Sequence, residues 1–503
     1  MMTAAGIQLS QLLPQVPQRL AALRVSGICI DSRRVQPGDL FFARSGVNHR
    51  GVDYIDQAAA NGAVVAVADE SEIAEDELHL FEIPVLRVAG LKSLVGYAAS
   101  RFFGEPSREM RIVGITGTNG KTSCAHYLAQ AMTHCGVPTA LIGTVGNGFP
   151  GRLREATHTT PDPISLHAEL ARLRDQGAQA VVMEVSSHAL DQARVAGVQF
   201  DAAAYTNLTH DHLDYHGDMV GYAKAKARLF TDYGAPLQVL NADDPEGERL
   251  LAQPCPAGGE RIGFSVSNPS AQVFAQNLVL GPQGMMFELH TPWGEVVVTA
   301  PLLGRFNVSN LLLVASLMGG MGYELSNIST ALAQLEPVTG RMERFGAQGA
   351  PTVIVDYAHT PDALDKAIQA ARAHMVGDSR LWVVFGCGGD RDNAKRSVMG
   401  EIAAQGADEI VLTSDNPRSE NPRSIIQMIQ QGIPAERAAH VEPDRAQAIA
   451  FAVAQASAAD MVLVAGKGHE TYQEINGVRS AFSDQAHVKD ALMKRSGSEE
   501  ARR

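Results

Sequence analysis

The residues with the clearest chemical meaning are 116–122, Thr-Gly-Thr-Asn-Gly-Lys-Thr. They follow an apolar, β-branched run at 111–116 and precede a helical pattern that begins at Thr122. In a strand, glycine turn and helix of this kind, backbone N–H groups and the helix N-terminus attract phosphate. Lys121 would reach the outer phosphates, and Thr122 can hold Mg²⁺. The strict phosphate-loop pattern fails at Ile115, where it demands glycine, and a turn that merely ends a strand is the alternative. We therefore predict that the chain binds ATP or GTP.

Two further polar groups follow predicted strands of the same region. Glu184 ends an apolar strand, which is costly unless the carboxylate has a partner, and phosphate-bound Mg²⁺ would be an apt one. The alternative is that Glu184 caps the next helix. The segment 207–216 carries three histidines and two aspartates, which also invites a zinc interpretation. One histidine with several oxygen ligands fits Mg²⁺ at a phosphate site better, while a solvated polar loop is the alternative for each histidine singly.

Composition bounds the class of protein. The chain has 503 residues, 45% hydrophobic and 19% charged, which suits about three globular domains. The net charge of −13 argues against a nucleic-acid partner. The five cysteines form no CxxC pair, so no disulfide framework is indicated. Because there is neither an apolar run of membrane-spanning length nor a signal pattern, we expect no membrane contact and a cytoplasmic location.

The elements that must position these residues fall into three regions. Residues 1–109 carry short strands and an Ala/Gly-rich helix–strand unit. Residues 110–340 alternate strands with helices, and 272–300 alternate apolar and polar residues with glycine punctuation, which predicts a small antiparallel meander. In residues 341–497, four apolar strands are separated by helical segments, which requires parallel strands with helical crossovers. In both α/β regions polar residues cluster at strand ends, where open parallel sheets place their ligands.

The chain resembles the Mur ligase family. The motifs that carry the resemblance run in the family's order from about residue 27 to residue 474: TGTNGKT, MEVSSHAL, NLTHDHLDYHG, GRFNVSN, GRME, DYAHTPDAL, GGDRD, SDNPR and AGKGHE. The resemblance implies an α/β fold of three domains. They are an N-terminal UDP-substrate-binding domain (1–109), a central P-loop ATPase-like parallel sheet with the meander (110–340), and a C-terminal Rossmann-like, amino-acid-binding domain (341–497).

The resemblance also implies a reaction of peptidoglycan precursor synthesis. ATP would phosphorylate a carboxylate of UDP-N-acetylmuramoyl-L-alanyl-D-glutamate, and the amine of meso-diaminopimelate would displace phosphate from the acyl phosphate. Mg²⁺ and a lysine carbamylated by CO₂ would assist, and we expect a monomer. Two alternatives remain: a folylpolyglutamate-synthase-like ligase, and a P-loop nucleotidase that ligates nothing.

Site residues are carried over from the family position by position. Those implied in catalysis and metal binding are Thr122, Glu184, His212 and Lys226 as the carbamate, with Lys121 on the phosphates. Those implied around ATP are Gly117, Thr118, Asn119, Gly120, Lys121, Thr122, Asn307, Asn310, Arg341, Asp356, Tyr357 and His359. Those implied around the UDP substrate are Ile30, Ser32, Thr159, Thr160, Ser186, Gln192 and Arg194. Those implied around diaminopimelate are Arg391, Asp415, Asn416, Pro417, Arg418, Gly466 and Glu470.

Two of these assignments have a physical basis and a specific alternative, and one segment departs from the family's pattern. An arginine fork at Arg418 matches the distal carboxylate of diaminopimelate, whereas lysine as a substrate lacks that group; a surface arginine is the alternative. A carbamate at Lys226 would turn a cation into a metal-binding anion, and a simple surface lysine is the alternative. Close relatives read His-Gln-Ala where this chain reads Val47-Asn48-His49, so the uridine contacts there are the least defined.

Overall fold

The computed structural model describes residues 6–46, 49–255, 258–346 and 349–500. Val47 and Asn48, part of the sequence departure noted above, lie outside the described residues. The chain divides into two compact units. The first reaches Gly263 and includes Ser316–Met321, and the second takes in Phe264–Ala315 and begins again at Gly322.

The first part of the first unit is built on four parallel strands in the order β3-β4-β5-β6. The strands of this part are β1 (Ile7–Gln8), β2 (Arg24–Val25), β3 (Gly27–Cys29), β4 (Asp39–Ala43), β5 (Val65–Asp69) and β6 (Val85–Val88). Its helices are α1 (Leu9–Leu12), α2 (Ile55–Ala60) and α3 (Leu91–Phe102). Short 3₁₀ turns occupy Gln18–Leu20, Ser32–Arg34, Gly51–Tyr54, Glu75–Leu80 and Pro106–Arg108. Buried aliphatic side chains cover both faces of this sheet, as expected for parallel strands.

The rest of the first unit contains five parallel strands in the order β8-β11-β7-β12-β13, with the β9–β10 hairpin antiparallel at one edge. The strands are β7 (Arg111–Thr116), β8 (Thr139–Ile142), β9 (Asn147–Phe149), β10 (Arg152–Arg154), β11 (Ala180–Glu184), β12 (Ala202–Tyr205), β13 (Leu237–Asn241) and β14 (Glu260–Ser265). The helices are α4 (Lys121–His134), α5 (Pro163–Asp175), α6 (Ser187–Asp191), α7 (Leu213–His216), α8 (Met219–Thr231) and α9 (Pro245–Leu251). The phosphate loop and Glu184 therefore lie at the same edge, because β7 and β11 run in parallel with Ile115 beside Glu184.

The second unit opens with the antiparallel meander β15 (Val273–Gly281), β16 (Gly284–Thr291) and β17 (Gly294–Ala300). Two helices follow the meander in the chain: α10 (Phe306–Gly320), whose residues from Ser316 onwards belong to the first unit, and α11 (Leu325–Ala333). The alternation of apolar and polar residues with glycines at 272–300 predicted this antiparallel meander, and the prediction is confirmed.

The remainder of the second unit is a six-stranded sheet in the order β18-β19-β23-β20-β21-β22. Five of its strands are parallel and β18 is antiparallel at the edge. The strands are β18 (Glu343–Phe345), β19 (Thr352–Asp356), β20 (Leu381–Phe385), β21 (Glu409–Leu412), β22 (His440–Val441) and β23 (Met461–Ala465), followed by the separate hairpin β24 (Tyr472–Ile475) and β25 (Val478–Ala481). The helices are α12 (Pro361–Arg372), α13 (Ala394–Gly406), α14 (Pro422–Gln430), α15 (Arg445–Gln455) and α16 (Asp484–Glu500). The helical segments bury apolar side chains on both faces of the sheet, so the predicted Rossmann-like alternation is confirmed.

The expected fold class, α/β with a central parallel sheet, is confirmed. The predicted domain boundaries at 109 and 340 stay predictions. Across the described part of the chain, no helix is both long enough and apolar enough to cross a membrane.

Candidate functional site

The loop before α4 has the backbone geometry of a phosphate cradle. Gly120, at the start of α4, takes the left-handed conformation with φ of 84°. A Cβ on Gly117, whose φ is 140°, would overlap the Thr206 hydroxyl, so both positions require glycine. The Lys121 ammonium folds back over the loop and donates to the Gly117 and Thr118 carbonyls, each at 2.9 Å. The lysine therefore lies above the loop, where it can reach a bound phosphate.

Glu184 forms a buried carboxylate site beside this loop. Its side chain accepts hydrogen bonds from the Thr122 hydroxyl at 2.8 Å, the Thr144 N–H at 2.7 Å and the Thr144 hydroxyl at 3.2 Å. The cap of α6 is instead Ser186, whose hydroxyl accepts from the Ala189 N–H at 3.1 Å. The helix-cap alternative for Glu184 is therefore wrong. A hydroxyl and a carboxylate, both hard oxygen donors, meet at the N-terminus of α4, which fits Mg²⁺.

Lys226 reaches the same loop from α8. Only 1% of this residue is exposed, and its ammonium donates to the Gly117 carbonyl at 2.7 Å. The ammonium also lies 4.4 Å from the centre of the Tyr222 ring. Burial lowers the pKa of Lys226 well below its ordinary value, and the charge of Lys121 lowers it further. Lys224, two residues earlier, is exposed, so Lys226 is not the surface lysine of the alternative interpretation.

The histidine-rich segment does not converge on one point. His212 takes a left-handed conformation with φ of 52° before α7, and its ring packs edge-on against His188 at 4.9 Å. His216 instead hydrogen-bonds the Ser187 hydroxyl at 3.0 Å. In the described ranges, no three His, Cys, Asp or Glu side chains are placed to bind one metal ion. The zinc interpretation therefore gains no support, and His212, about half exposed, is the histidine with a strained backbone.

A cavity of about 590 Å³ opens at the carboxyl ends of β3, β4, β5 and β6. It is lined by residues of both halves of the first unit, among them Ile30, Arg44, Lys92, Asp162, Gln192 and Arg194. Three of these, Ile30, Gln192 and Arg194, were predicted from the sequence. Arg44 was missed; its position directly after β4 was the available signal.

The other predicted substrate residues are held by neighbouring groups. The Ser32 hydroxyl donates to the Gln57 amide oxygen at 2.6 Å. The Thr160 hydroxyl donates to the Glu184 carbonyl at 2.8 Å, and the Thr159 hydroxyl shares a hydrogen bond with Thr144 at 3.0 Å. Thr159 and Thr160 thus connect the cavity wall with the carboxylate site.

In the second unit, the predicted nucleotide residues cluster after β19. The Asp356 carboxylate accepts from the Met342 N–H at 2.8 Å and the Ala358 N–H at 2.9 Å. Burial raises the pKa of Asp356, while the charge of Arg341 opposes the rise. The Arg341 guanidinium lies 4.8 Å from the centre of the Tyr357 ring. This stack offers a flat, cationic surface to a ligand.

Three further predicted residues are positioned by local hydrogen bonds. His359 donates from Nδ1 to the Tyr357 carbonyl at 2.8 Å. In α10, the Asn310 amide donates to the Asn307 side-chain oxygen at 2.8 Å, and Asn307 donates to the Leu303 carbonyl at 2.7 Å. Both asparagines are buried.

A polar network joins the ends of β21 and β23. The Asn416 amide donates to the Glu470 carboxylate at 2.8 Å. Between them lies Lys467, whose ammonium donates to the Asn416 side-chain oxygen at 3.0 Å and to Glu470 at 3.1 Å. The side chain of Lys467 is fully buried, and its ammonium is 3.8 Å from the Asp415 carboxylate. Sequence reasoning missed Lys467 as a site residue, although the motif AGKGHE contains it.

Arg418 stands next to this network with a fixed backbone. It is left-handed with φ of 51°, its N–H donates to the Glu474 carbonyl at 3.0 Å, and its carbonyl accepts from the Asn476 N–H at 2.6 Å. Its Nη1 donates to the Gly389 carbonyl at 2.7 Å, whereas Nε and Nη2 make no hydrogen bond to any described residue. One edge of the guanidinium is thus anchored while the other can accept a carboxylate.

The remaining predicted residues of this group are Arg391, Pro417 and Gly466. A Cβ on Gly389 would overlap the Pro417 carbonyl, and one on Gly466, with φ of 120°, would lie 3.1 Å from Asp415 Oδ2. Arg391 is exposed. The loop is also tied down by Glu420, whose pKa a paired hydrogen bond from the buried Arg396 lowers to about 2.

The chain is similar to known proteins over nearly its whole length. Three family models match the chain: the Mur ligase family catalytic domain over 24–102, the Mur ligase middle domain over 115–318 and the Mur ligase glutamate ligase domain over 340–468. A relative from Alkalilimnicola ehrlichii, named UDP-N-acetylmuramoyl-L-alanyl-D-glutamate–2,6-diaminopimelate ligase, is 50% identical over 94% of this chain and 96% of its own. A relative of the same name from Pseudomonas aeruginosa is 47% identical over 97% and 98%. A solved structure of a ligase of that name superposes with a TM-score of 0.76 at 34% identity, covering 98% of this chain and 99% of the other.

Proposed function

The chain belongs to the Mur ligase family, and we propose that it adds meso-2,6-diaminopimelate to UDP-N-acetylmuramoyl-L-alanyl-D-glutamate. ATP would transfer its γ-phosphoryl group to a glutamyl carboxylate, giving an acyl phosphate and ADP. An amine of diaminopimelate would then attack the acyl carbon, and expulsion of phosphate would leave an amide. Relatives that are about half identical to this chain over nearly the full length are named for this activity.

The observation that carries the choice of amino acid is that Arg418 is linked to the Asn416–Lys467–Glu470 network through Glu474, whose carbonyl accepts from the Arg418 N–H and whose N–H donates to Asn416. A diaminopimelate side chain ends in a carboxylate and an ammonium on one carbon. The unoccupied edge of Arg418 suits the carboxylate, since a guanidinium can bind it through two parallel hydrogen bonds. The Glu470 carboxylate suits the ammonium, because Asn416 and Lys467 hold that carboxylate in place. Lysine as a substrate would leave the cationic edge of Arg418 unmatched.

The phosphoryl-transfer step would draw on the loop before α4. Lys121 would move from its loop carbonyls onto the β- and γ-phosphates, and backbone N–H groups of the loop would cradle them. Thr122 and Glu184 would hold Mg²⁺, which would neutralise phosphate charge when bound. In the second unit, the Arg341–Tyr357 stack and Asp356 would contact the nucleotide.

Lys226 would complete the metal site as a carbamate. Its depressed pKa favours the neutral amine, the form that attacks CO₂; the amine nitrogen bonds to the CO₂ carbon and loses a proton to solvent. The product is an anion, which would relieve the repulsion between Lys226 and Lys121. His212 would be a further ligand.

The decisive experiment is phosphate release from ATP with a panel of acceptors and amino acids. We expect release to require the UDP-dipeptide and diaminopimelate together, with little release when L-lysine or D-glutamate replaces diaminopimelate. Turnover of folate with glutamate would instead identify a folylpolyglutamate-synthase-like enzyme. ATP turnover that ignores every amino acid would identify a nucleotidase. We further propose that the protein acts as a monomer in the cytoplasm, where nucleotide-linked precursors are made.

A further inference from the structure

The cavity beside β4 contains two arginines that no carboxylate pairs with directly. Arg44 follows β4, and its Nη2 donates to the backbone carbonyl of Gln192 at 2.8 Å. Arg194 donates to the Gln192 side-chain oxygen at 3.0 and 2.8 Å and to the Thr160 carbonyl at 2.8 Å. All these acceptors are neutral. Throughout the described residues, neither guanidinium makes an ion pair within 4.0 Å.

The two cations influence one another. Burial lowers the pKa of Arg44, and the neighbouring charge of Arg194 lowers it further, while burial also lowers the pKa of Arg194. Asp162 offsets part of this repulsion, although one of its oxygens already accepts from the Ile164 and Ser165 N–H groups at the start of α5. The other nearby cation, Lys92, lies 3.9 Å from Asp191. Two nearby guanidinium cations that donate only to neutral acceptors are unfavourable, and a bound anion would stabilise them.

We propose that Arg44 and Arg194 form a paired oxyanion site and that Arg44 is a specificity-determining contact to the nucleotide substrate. The inference rests on the proposed function, which supplies a substrate carrying two kinds of oxyanion, a diphosphate and dipeptide carboxylates. The cavity lies where the carboxyl ends of four parallel strands meet, the usual ligand position of such sheets. Its volume of about 590 Å³ admits a nucleotide-sized group.

The competing explanation is that Arg44 only ties β4 to Gln192. That role predicts lower thermal stability without a change in substrate affinity. A contact to substrate predicts a higher Kd that depends on the charge and shape of the side chain. The two roles therefore separate when stability and binding are measured on the same variants.

The test is calorimetric titration of UDP and of the full UDP-dipeptide into wild type, Arg44→Gln, Arg44→Lys and the control Arg19→Gln, which removes an exposed arginine away from the cavity. For Arg44→Gln we expect the Kd of the UDP-dipeptide to rise about 10- to 100-fold, the range for losing a charged hydrogen bond. Arg44→Lys should fall between it and wild type, and Arg19→Gln should match wild type. In steady-state ligation, the loss of a binding contact should raise the KM for the UDP-dipeptide more than it lowers kcat.

The two probes identify the oxyanion. If Arg44→Gln raises the Kd of UDP as much as that of the UDP-dipeptide, the oxyanion bound by the site is the diphosphate. If it raises the Kd of the UDP-dipeptide alone, the oxyanion is a dipeptide carboxylate. Unchanged Kd values for both probes in Arg44→Gln would overturn the inference, as would a lowered melting temperature with unchanged Kd. Should Arg44→Gln fail to fold, Arg44→Lys with wild-type Kd values would overturn it equally. A wild type that neither binds these probes nor ligates would instead overturn the proposed function itself.

Discussion

Replacement of Arg418 by alanine removes the cationic fork proposed to select diaminopimelate. Both residues carry a Cβ, so the left-handed backbone at φ of 51° bears the same strain before and after the change. Its backbone hydrogen bonds to Glu474 and Asn476 are also retained. The substitution therefore reports on the guanidinium rather than on the loop.

The size of the effect follows from the surroundings of the fork. Nη1 already donates to the Gly389 carbonyl, so a substrate carboxylate would bind the Nε–Nη2 edge. The substitution removes the hydrogen bonds from that edge. Removing one member of a fully buried ion pair costs about 3–5 kcal/mol. Because Arg418 is half-buried and solvent screens it, we expect about 2–3 kcal/mol of transition-state binding. This corresponds to a fall of about 30- to 150-fold in kcat/KM for diaminopimelate.

The assay is steady-state ligation with diaminopimelate varied at saturating ATP and UDP-dipeptide. Arg423→Ala, an exposed arginine on the next helix, is the matched control and should behave as wild type. The KM for ATP should not change in Arg418→Ala. Any slow ligation of L-lysine should not fall, since lysine lacks the distal carboxylate that Arg418 would bind. Near-normal kcat/KM for diaminopimelate in a folded Arg418→Ala protein would refute the assignment.

The other predictions concern the phosphate site and acid stability. Lys121→Ala should abolish ligation while changing the free energy of unfolding by no more than about 1 kcal/mol, since its hydrogen bonds to Gly117 and Thr118 lie within a loop; wild-type turnover would contradict this. Lys226→Ala should be nearly inactive and partly rescued by formate or acetate, with Lys224→Ala close to normal; high activity of Lys226→Ala without a carboxylate would reject the carbamate. Burial lowers the pKa of His167 to about 4 in the folded protein. As the pH falls, this histidine is therefore protonated first in the unfolded chain, and the stability present above pH 6.5 is lost as the pH approaches 4. Urea unfolding should show a loss of about 2.5 kcal/mol between pH 7 and pH 4.5 that is absent from His167→Gln; equal losses in both proteins would show that His167 does not titrate.

Local sequence was sufficient for the phosphate loop and for the main sheets. The run 111–116, the glycine turn and Lys121-Thr122 are contiguous, so neighbouring residues alone determine strand, turn and helix start. Alternation of apolar strands with helices likewise dictated the parallel sheet around β19, β20, β21 and β23. Such features can be predicted from the sequence because backbone geometry and apolar periodicity depend on a few neighbouring residues.

The tertiary structure decided which side chains share a site. Glu184 could have capped a helix by its position in the sequence, but packing turns it towards Thr122, 62 residues away. The antiparallel edge strand β18 has only three residues, which is too short to show a periodic signal. The fully buried Lys467 left no such signal either, because its partner Asn416 lies 51 residues away in the chain. The approach of Arg44 to Gln192, 148 residues apart, arises in the same way. Sequence by itself determined which groups end each strand, whereas only the folded chain fixed which of those groups meet, because distances between remote side chains depend on how sheets and helices pack.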